Sequence, residues 1–241
     1  MQTAVAEPTR AKSTEPPANQ ESALTVRRWL TYQDDGEVAE DDFIFDAPGV
    51  EAIASLCAGV ILPTGDELRA ATLLASGAAC VFVGGAALCD STVIDRLAAR
   101  HGAERIGIYA SVMRQTVSWS FETVSNADFK TITPSHCEPA WEVLRADGTA
   151  TGTLAHWWLA AMREQGASRF LLRVDIVDDT DLNLCAGLIE ELGDALWIGP
   201  LAEAMPNLAD WVAYGQCRQI VLSAAAYAQR DSILGRMPES A

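Results

Sequence analysis

Four aspartates, Asp175, Asp178, Asp179 and Asp181, fall within seven residues at the end of the apolar run Phe170–Ile176, which has the length and composition of a buried strand. Carboxylates crowded at a strand end can hold a divalent cation or keep one carboxyl protonated for acid–base work. All four carboxylates, Asp175 and Asp179 among them, are on that ground candidate catalytic residues. The structural alternative is an acidic first turn that complements the dipole of the following helix. His136-Cys137, after Thr133-Pro134-Ser135, is a weaker candidate, because neighbours in an extended loop point to opposite sides and cannot form a nucleophile–base pair. His101, His136 and His156 are the only histidines and show no ligand spacing, so no metal site and no cofactor are expected. The six cysteines, 57, 80, 89, 137, 185 and 217, include no CxxC pair and read as small buried thiols.

The elements that must position these groups repeat as strand, loop and helix. Ala58–Leu62 is an apolar run, followed by Thr64-Gly65-Asp66-Glu67, which reads as a capping box with Thr64 as N-cap. The helix it opens places Leu68, Ala71 and Leu74 on one face and stops at Gly77. Cys80–Val83 is the next strand, and Ser91–Arg100 the next helix, with Val93, Ile94, Leu97 and Ala98 inward. A further strand at Arg105–Ala110 leads into an alternating stretch, Val117–Phe129, that reads as a hairpin or long excursion. A helix carrying Leu154, Trp157, Trp158, Ala161 and Met162 follows. Strands at Phe170–Ile176, Ala195–Ile198 and Gln219–Leu222 alternate with helices at Leu182–Leu192 and Leu208–Tyr214. Such alternation implies a parallel sheet covered by helices.

The segment Val60–Leu88 can be laid on Trp197–Tyr227, with Pro63 near Pro200 and Gly77 near Gly215. An offset of four βα units is what two duplicated halves of a closed barrel would show, so the expected fold is an α/β (β/α)8 TIM barrel. Its first two units are expected to be reduced, since Val26–Tyr32 and Asp42–Phe45 are the only candidate strands before Ala58 and the segment between them is short and acidic. Residues 1–22 are rich in Pro, Ser, Thr and Glu and are expected to form a disordered tail to a single barrel of residues 23–241.

Hydrophobic residues make up 49% of the 241, enough for one large core, while a formal net charge of −16 repels phosphate backbones and anionic lipid. No nucleic-acid or membrane partner is expected, and no apolar run reaches the length of a membrane span. A cytoplasmic location follows as the expectation.

In order and spacing, residues 50–230 resemble the ribulose-phosphate-binding barrels of histidine biosynthesis, ProFAR isomerase (HisA) and its sister cyclase (HisF). The resemblance rests on Gly65 to Ile108, including Leu73–Ala78 and Val83-Gly84-Gly85, and on Arg169 to Ile176. It implies phosphate clamps and two carboxylates at the C-terminal rim of the barrel. Most of these are missing. Ile61-Leu62-Pro63 stands where the family has three glycines, Leu201-Ala202 where it has a glycine pair, and Ser223-Ala224 where it has Gly-Arg. Its strand-5 aspartate falls on Ser111 and its strand-6 threonine on Val174. Gly84 remains in place, with Gly85 beside it, and these two are the phosphate-binding candidates; Asp175 and Asp179 match acidic positions after strand 6.

General acid–base groups contribute on the order of 10²–10⁴-fold each, so a working ProFAR isomerase is not expected. The leading expectation is a degenerate HisA-like barrel acting as a non-catalytic subunit or scaffold, with a protein partner or homo-oligomer. Trp157-Trp158 supports this: both cannot face one core stripe, and an exposed tryptophan suits a protein contact. The alternative is an enzyme with a rebuilt rim site acting on a small phosphorylated substrate, of isomerase type or in a one-carbon or cofactor pathway.

Overall fold

The computed structural model describes residues 23–31, 34, 37–115, 124–126, 129–131, 138–202 and 204–234. The expected tail over 1–22, the pair His136-Cys137 and most of Val117–Phe129 lie outside them. In chain order the elements are β1 (Thr25–Leu30), β2 (Phe43–Phe45), β3 (Gly59–Leu62), α1 (Glu67–Ala75), β4 (Val81–Val83), α2 (Gly85–Cys89), α3 (Thr92–His101) and β5 (Ile106–Arg114). Next come β6 (Val124–Asn126), β7 (Phe129–Thr131), β8 (Trp141–Leu144), β9 (Ala150–Leu154), α4 (Ala155–Glu164), β10 (Arg169–Arg173) and α5 (Asp179–Leu192). The chain closes with β11 (Leu196–Gly199), α6 (Leu208–Ala213), β12 (Gln219–Ser223), α7 (Ala224–Ala228) and α8 (Arg230–Leu234).

Eight strands pair in parallel in the order β1-β2-β3-β4-β5-β10-β11-β12, and β12 returns to β1. The result is a closed (β/α)8 barrel, as the alternation implied. The aligned segments occupy strands β3–β4 and β11–β12, four positions apart around it. Along β3, β4 and β10 both faces are buried, with period two. Val60 and Leu62, Val81 and Val83, and Phe170 and Leu172 pack outward under the helices. Ile61, Phe82 and Leu171 fill the interior with Phe43, Tyr109, Trp197 and Val221. Two buried faces explain why the strands read as unbroken apolar runs. A Cβ on Gly107 would meet the Phe82 ring at 2.6 Å, so glycine on β5 is what admits that ring. Arg27 also points inward, 4.8 Å from the centre of the Trp197 ring and 5.5 Å from that of Phe43; burial lowers its pKa.

The first two units are reduced. Among the described residues no α-helix joins β1 to β2, and only two single-turn 3-10 helices join β2 to β3. Ion pairs brace this side in place of helix packing. Arg28 binds Asp42 at 2.6 Å, and Asp42 also accepts from the Ala39 amide at 2.7 Å. Arg69 of α1 reaches across to Asp46, also at 2.6 Å, and to Glu51.

Two local readings are corrected. The N-cap of α1 is Asp66, which accepts from the Arg69 amide at 2.8 Å, rather than Thr64. That rotates the buried face to Ala70, Leu73 and Leu74 and leaves Leu68 73% exposed. The second concerns β5, which runs past the barrel to Arg114 and pairs antiparallel with β8, itself paired with β9. The β8–β9 pair thus extends the main sheet over the rim. On α4, Trp158 is buried and Trp157 is 67% exposed, the split expected of neighbours on one helix.

Candidate functional site

The C-terminal rim has two halves of different character, and the aspartate cluster divides between structural duties. Asp178 caps α5, accepting from the Thr180 and Asp181 amides at 2.9 and 3.2 Å, and pairs with Arg114, which holds its carboxyl down at about 2. Asp181 is 2% exposed. It accepts from Trp141 Nε1 at 2.9 Å, Arg114 Nε at 3.0 Å and the Val177 amide at 3.1 Å. These two carboxylates bolt the end of the β5–β8 pair to α5. Asp179 is the exposed first residue of α5. Among the described residues no group of three or more His, Cys, Asp and Glu side chains could hold a metal ion.

Asp175 lies elsewhere on the rim, and its Oδ1 accepts from the Leu201 and Ala202 amides, each at 2.9 Å. The loop after β11 thereby has its amides satisfied by the chain's own carboxylate. Arg173 stiffens the same loop, donating to the Pro200 carbonyl at 3.0 Å and to that of Leu201, while its guanidinium lies 5.1 Å from the Trp29 ring and 5.9 Å from Phe45. After β12, the Ser223 hydroxyl accepts from the Ala226 amide at 3.2 Å. This half of the rim is filled and internally hydrogen-bonded.

The other half is open. A cavity of about 420 Å³ lies at the ends of β4 and β5, under the β8–β9 excursion, within the range of small-molecule sites. Gly84, Gly85 and Ser111 line it together, as do Tyr109, Arg145, Thr151 and Thr153. Asp175 and Asp179 are not among its lining residues. Tyr109 Oη and Ser111 Oγ are 3.1 Å apart and share a hydrogen bond. The amides of Gly84 and Gly85 are spent on the Leu62 and Pro63 carbonyls at 3.0 and 2.9 Å. A Cβ on either glycine would come within 3.1 Å of the Pro63 carbonyl oxygen. They serve as a close-packed wall, and these two N–H groups do not point at a ligand.

Among the described residues that line the cavity Arg145 is the single charged one, and the sequence reading missed it. It stands where β8 turns into β9: its amide donates to the Thr149 carbonyl at 2.8 Å, and the Gly148 amide donates back to it at 2.9 Å. The signal present was the dipeptide Asp147-Gly148, a hairpin turn in which glycine takes the left-handed conformation, here at φ +82°.

The fold and site together define a (β/α)8 barrel with an off-axis rim cavity built by an antiparallel insertion. No protein-family model matches the chain. A solved structure described as "Native KDPGal structure" is similar over 89% of this chain and 94% of its own, at 12% identity and a TM-score of 0.48, a likeness of outline alone. Neither that comparison nor the geometry offers anything for a non-catalytic scaffold, and this expectation is corrected. A scaffold whose rim had closed would present no ligand-sized space, whereas here Ser111 and the glycine turn open onto one. No helix of the described residues is long and apolar enough to cross a membrane.

Proposed function

We propose that the protein is an enzyme acting on a small anionic, phosphorylated substrate in the rim cavity, on a barrel related to the HisA and HisF group but without its isomerase chemistry. One observation carries this reading: in a chain with a net charge of −16, the described residues that line the rim cavity include one arginine and no carboxylate. The Arg145 guanidinium gives one donor to the Ala150 carbonyl at 3.0 Å and lies near Asp147, whose carboxyl is held below its ordinary range by Thr149 and, less strongly, by Arg145; the donors left over form a planar fork that suits a phosphate.

In this reading Arg145 anchors the anionic group. The Tyr109–Ser111 hydroxyl pair meets an oxygen of the substrate, either hydroxyl donating while the other supports it. Thr151 and Thr153 add polar edges on the excursion. Relatedness to the histidine-biosynthesis barrels is supported by the ungapped order from Gly65 to Ile108 and by the halves repeated at four-strand spacing. One reaction class is narrowed by composition. Schiff-base catalysis needs a lysine amine, and the sequences of the eight parallel strands contain no lysine.

The test is a thermal-shift titration with ribose 5-phosphate, ProFAR and inorganic phosphate, on wild type and Arg145→Ala. A ligand at 100 times its Kd stabilises the fold by about 2.7 kcal/mol, a rise of a few degrees in Tm. A shift with a sugar phosphate that disappears in Arg145→Ala supports the reading. No shift with any of the three, or one that Arg145→Ala leaves intact, removes it.

A further inference from the structure

Resting on the cavity reading above, we propose that the site takes a ligand with a single anionic group, because Asp175 permanently occupies a second anion-binding position on the same rim. The position is defined by the successive amides of Leu201 and Ala202, which both converge on Asp175 Oδ1 at 2.9 Å, with Ala202 also 3.2 Å from Oδ2. Successive N–H groups aimed at one point form the concavity that proteins use for phosphate and carboxylate oxygens. Here the occupant is tethered two residues beyond β10, so a free anion must displace a group whose effective concentration is set by the chain itself.

The loop is held in this arrangement from its other side. Arg173 binds the Pro200 and Leu201 carbonyls and is itself held over Trp29 and Phe45. Its carbonyls committed to Arg173, the loop keeps its amides turned to Asp175. In the parallel pairing of β10 with β5, Arg173 lies opposite Ser111, which lines the cavity. Asp175 follows two residues later, so the filled position and the open cavity belong to adjacent strands. A ligand anchored at Arg145 and carrying a second phosphate toward β10 therefore meets a carboxylate and amides already satisfied. The doubly anionic molecule gains nothing from its second charge.

The experiment compares ribose 5-phosphate with ribose 1,5-bisphosphate by calorimetric titration of the full chain as wild type, Arg145→Ala, Asp175→Ala and Asp175→Asn. Wild type is expected to bind the two within about threefold of each other, and Arg145→Ala to weaken both by about tenfold or more. In Asp175→Ala the vacated amides are expected to give the bisphosphate an advantage of about tenfold. Asp175→Asn, which keeps the shape but removes the charge, is expected to give a smaller one and serves if the alanine variant does not fold. A wild-type preference of about tenfold or more for the bisphosphate, lost in Arg145→Ala, overturns the inference and leaves the cavity reading standing. So does an unchanged ratio in a folded Asp175 variant. If wild type binds neither ligand, or Arg145→Ala binds as wild type does, the cavity reading fails and the inference falls with it.

Discussion

The two halves of the rim differ in where their polar groups are spent. At β10–β12 every loop has found an internal partner: Asp175 for the amides of Leu201 and Ala202, Arg173 for two carbonyls and two rings, Ser223 for the turn into α7. At β4–β5 the glycine turn is also satisfied internally, yet the space above it stays open because β5 overruns the barrel and carries β8 and β9 with it as a new wall. A barrel rim can thus be retired in one sector and rebuilt in another without disturbing the strands beneath. The filled sector is made of side chains that satisfy one another's backbone groups, and the open one of an insertion that stands over a cavity.

The contrast can be broken hardest at the bolt joining the insertion to α5. Asp181→Ala leaves the Trp141 indole N–H, the Arg114 guanidinium and the Val177 amide without their shared acceptor in a site 2% exposed. Removing one partner of a buried charged pair costs about 3–5 kcal/mol, and urea denaturation should show a loss of that size. If the rebuilt wall depends on this bolt, hydrogen exchange in β8 and β9 should rise first while β3 and β4 stay protected.

A smaller effect is expected in the retired half from Gly199→Ala. Its Cβ would meet the Val221 carbonyl oxygen at 2.6 Å, a backbone atom that moves only with its strand, and overpacking of this kind costs about 1–3 kcal/mol. Thermal denaturation checks it, and a neutral result would show that the β11–β12 side is softer than its packing indicates. Arg145→Ala, in the open half, should lower phosphate-ester affinity by about tenfold, or ~1.4 kcal/mol, while stability by urea changes by less than about 0.5 kcal/mol, as at other exposed sites. A large stability loss would instead make Arg145 a structural residue of the hairpin.

The smallest effect is a pH dependence. Asp178 titrates at about 2 in the folded chain against an ordinary 3.8, because Arg114 stabilises its ionised form. Its contribution is therefore present above pH 3.8 and is lost as pH falls from there through about 2. The carboxylate is half exposed, so solvent screens the pair and the contribution is modest. The Tm difference between wild type and Asp178→Asn should shrink over that acid range and be flat from pH 5 to 8.

Much of the barrel could be read along the chain, for a physical reason. Strands buried on both faces must be continuously apolar, and helices covering them must show one apolar stripe, so Val81–Val83, Phe170–Leu172 and the Val93, Ile94, Leu97 face announce themselves. Where a cap decides the helix phase, the reading slipped: Asp66 rather than Thr64 starts α1, and Leu68 turned outward. The antiparallel insertion was hidden because Trp141–Leu144 is short and its partner Ala150–Leu154 is mostly Thr, Gly and Ala, a composition with little periodic signal.

The sequence by itself pointed to the closed barrel through its two repeated halves, and to the reduced first units and the absence of glycine-rich loops after β3, β11 and β12 through local composition and period. Only the tertiary structure decided what the remaining polar groups do. It sent Asp178 and Asp181 to Arg114, gave Asp175 to the amides after β11, and put Arg145 and Ser111 on the lining of one cavity. Hydrogen bonds and ion pairs act over about 3 Å, and which groups come within that reach depends on strand pairing between segments tens of residues apart, which no local window of the chain contains.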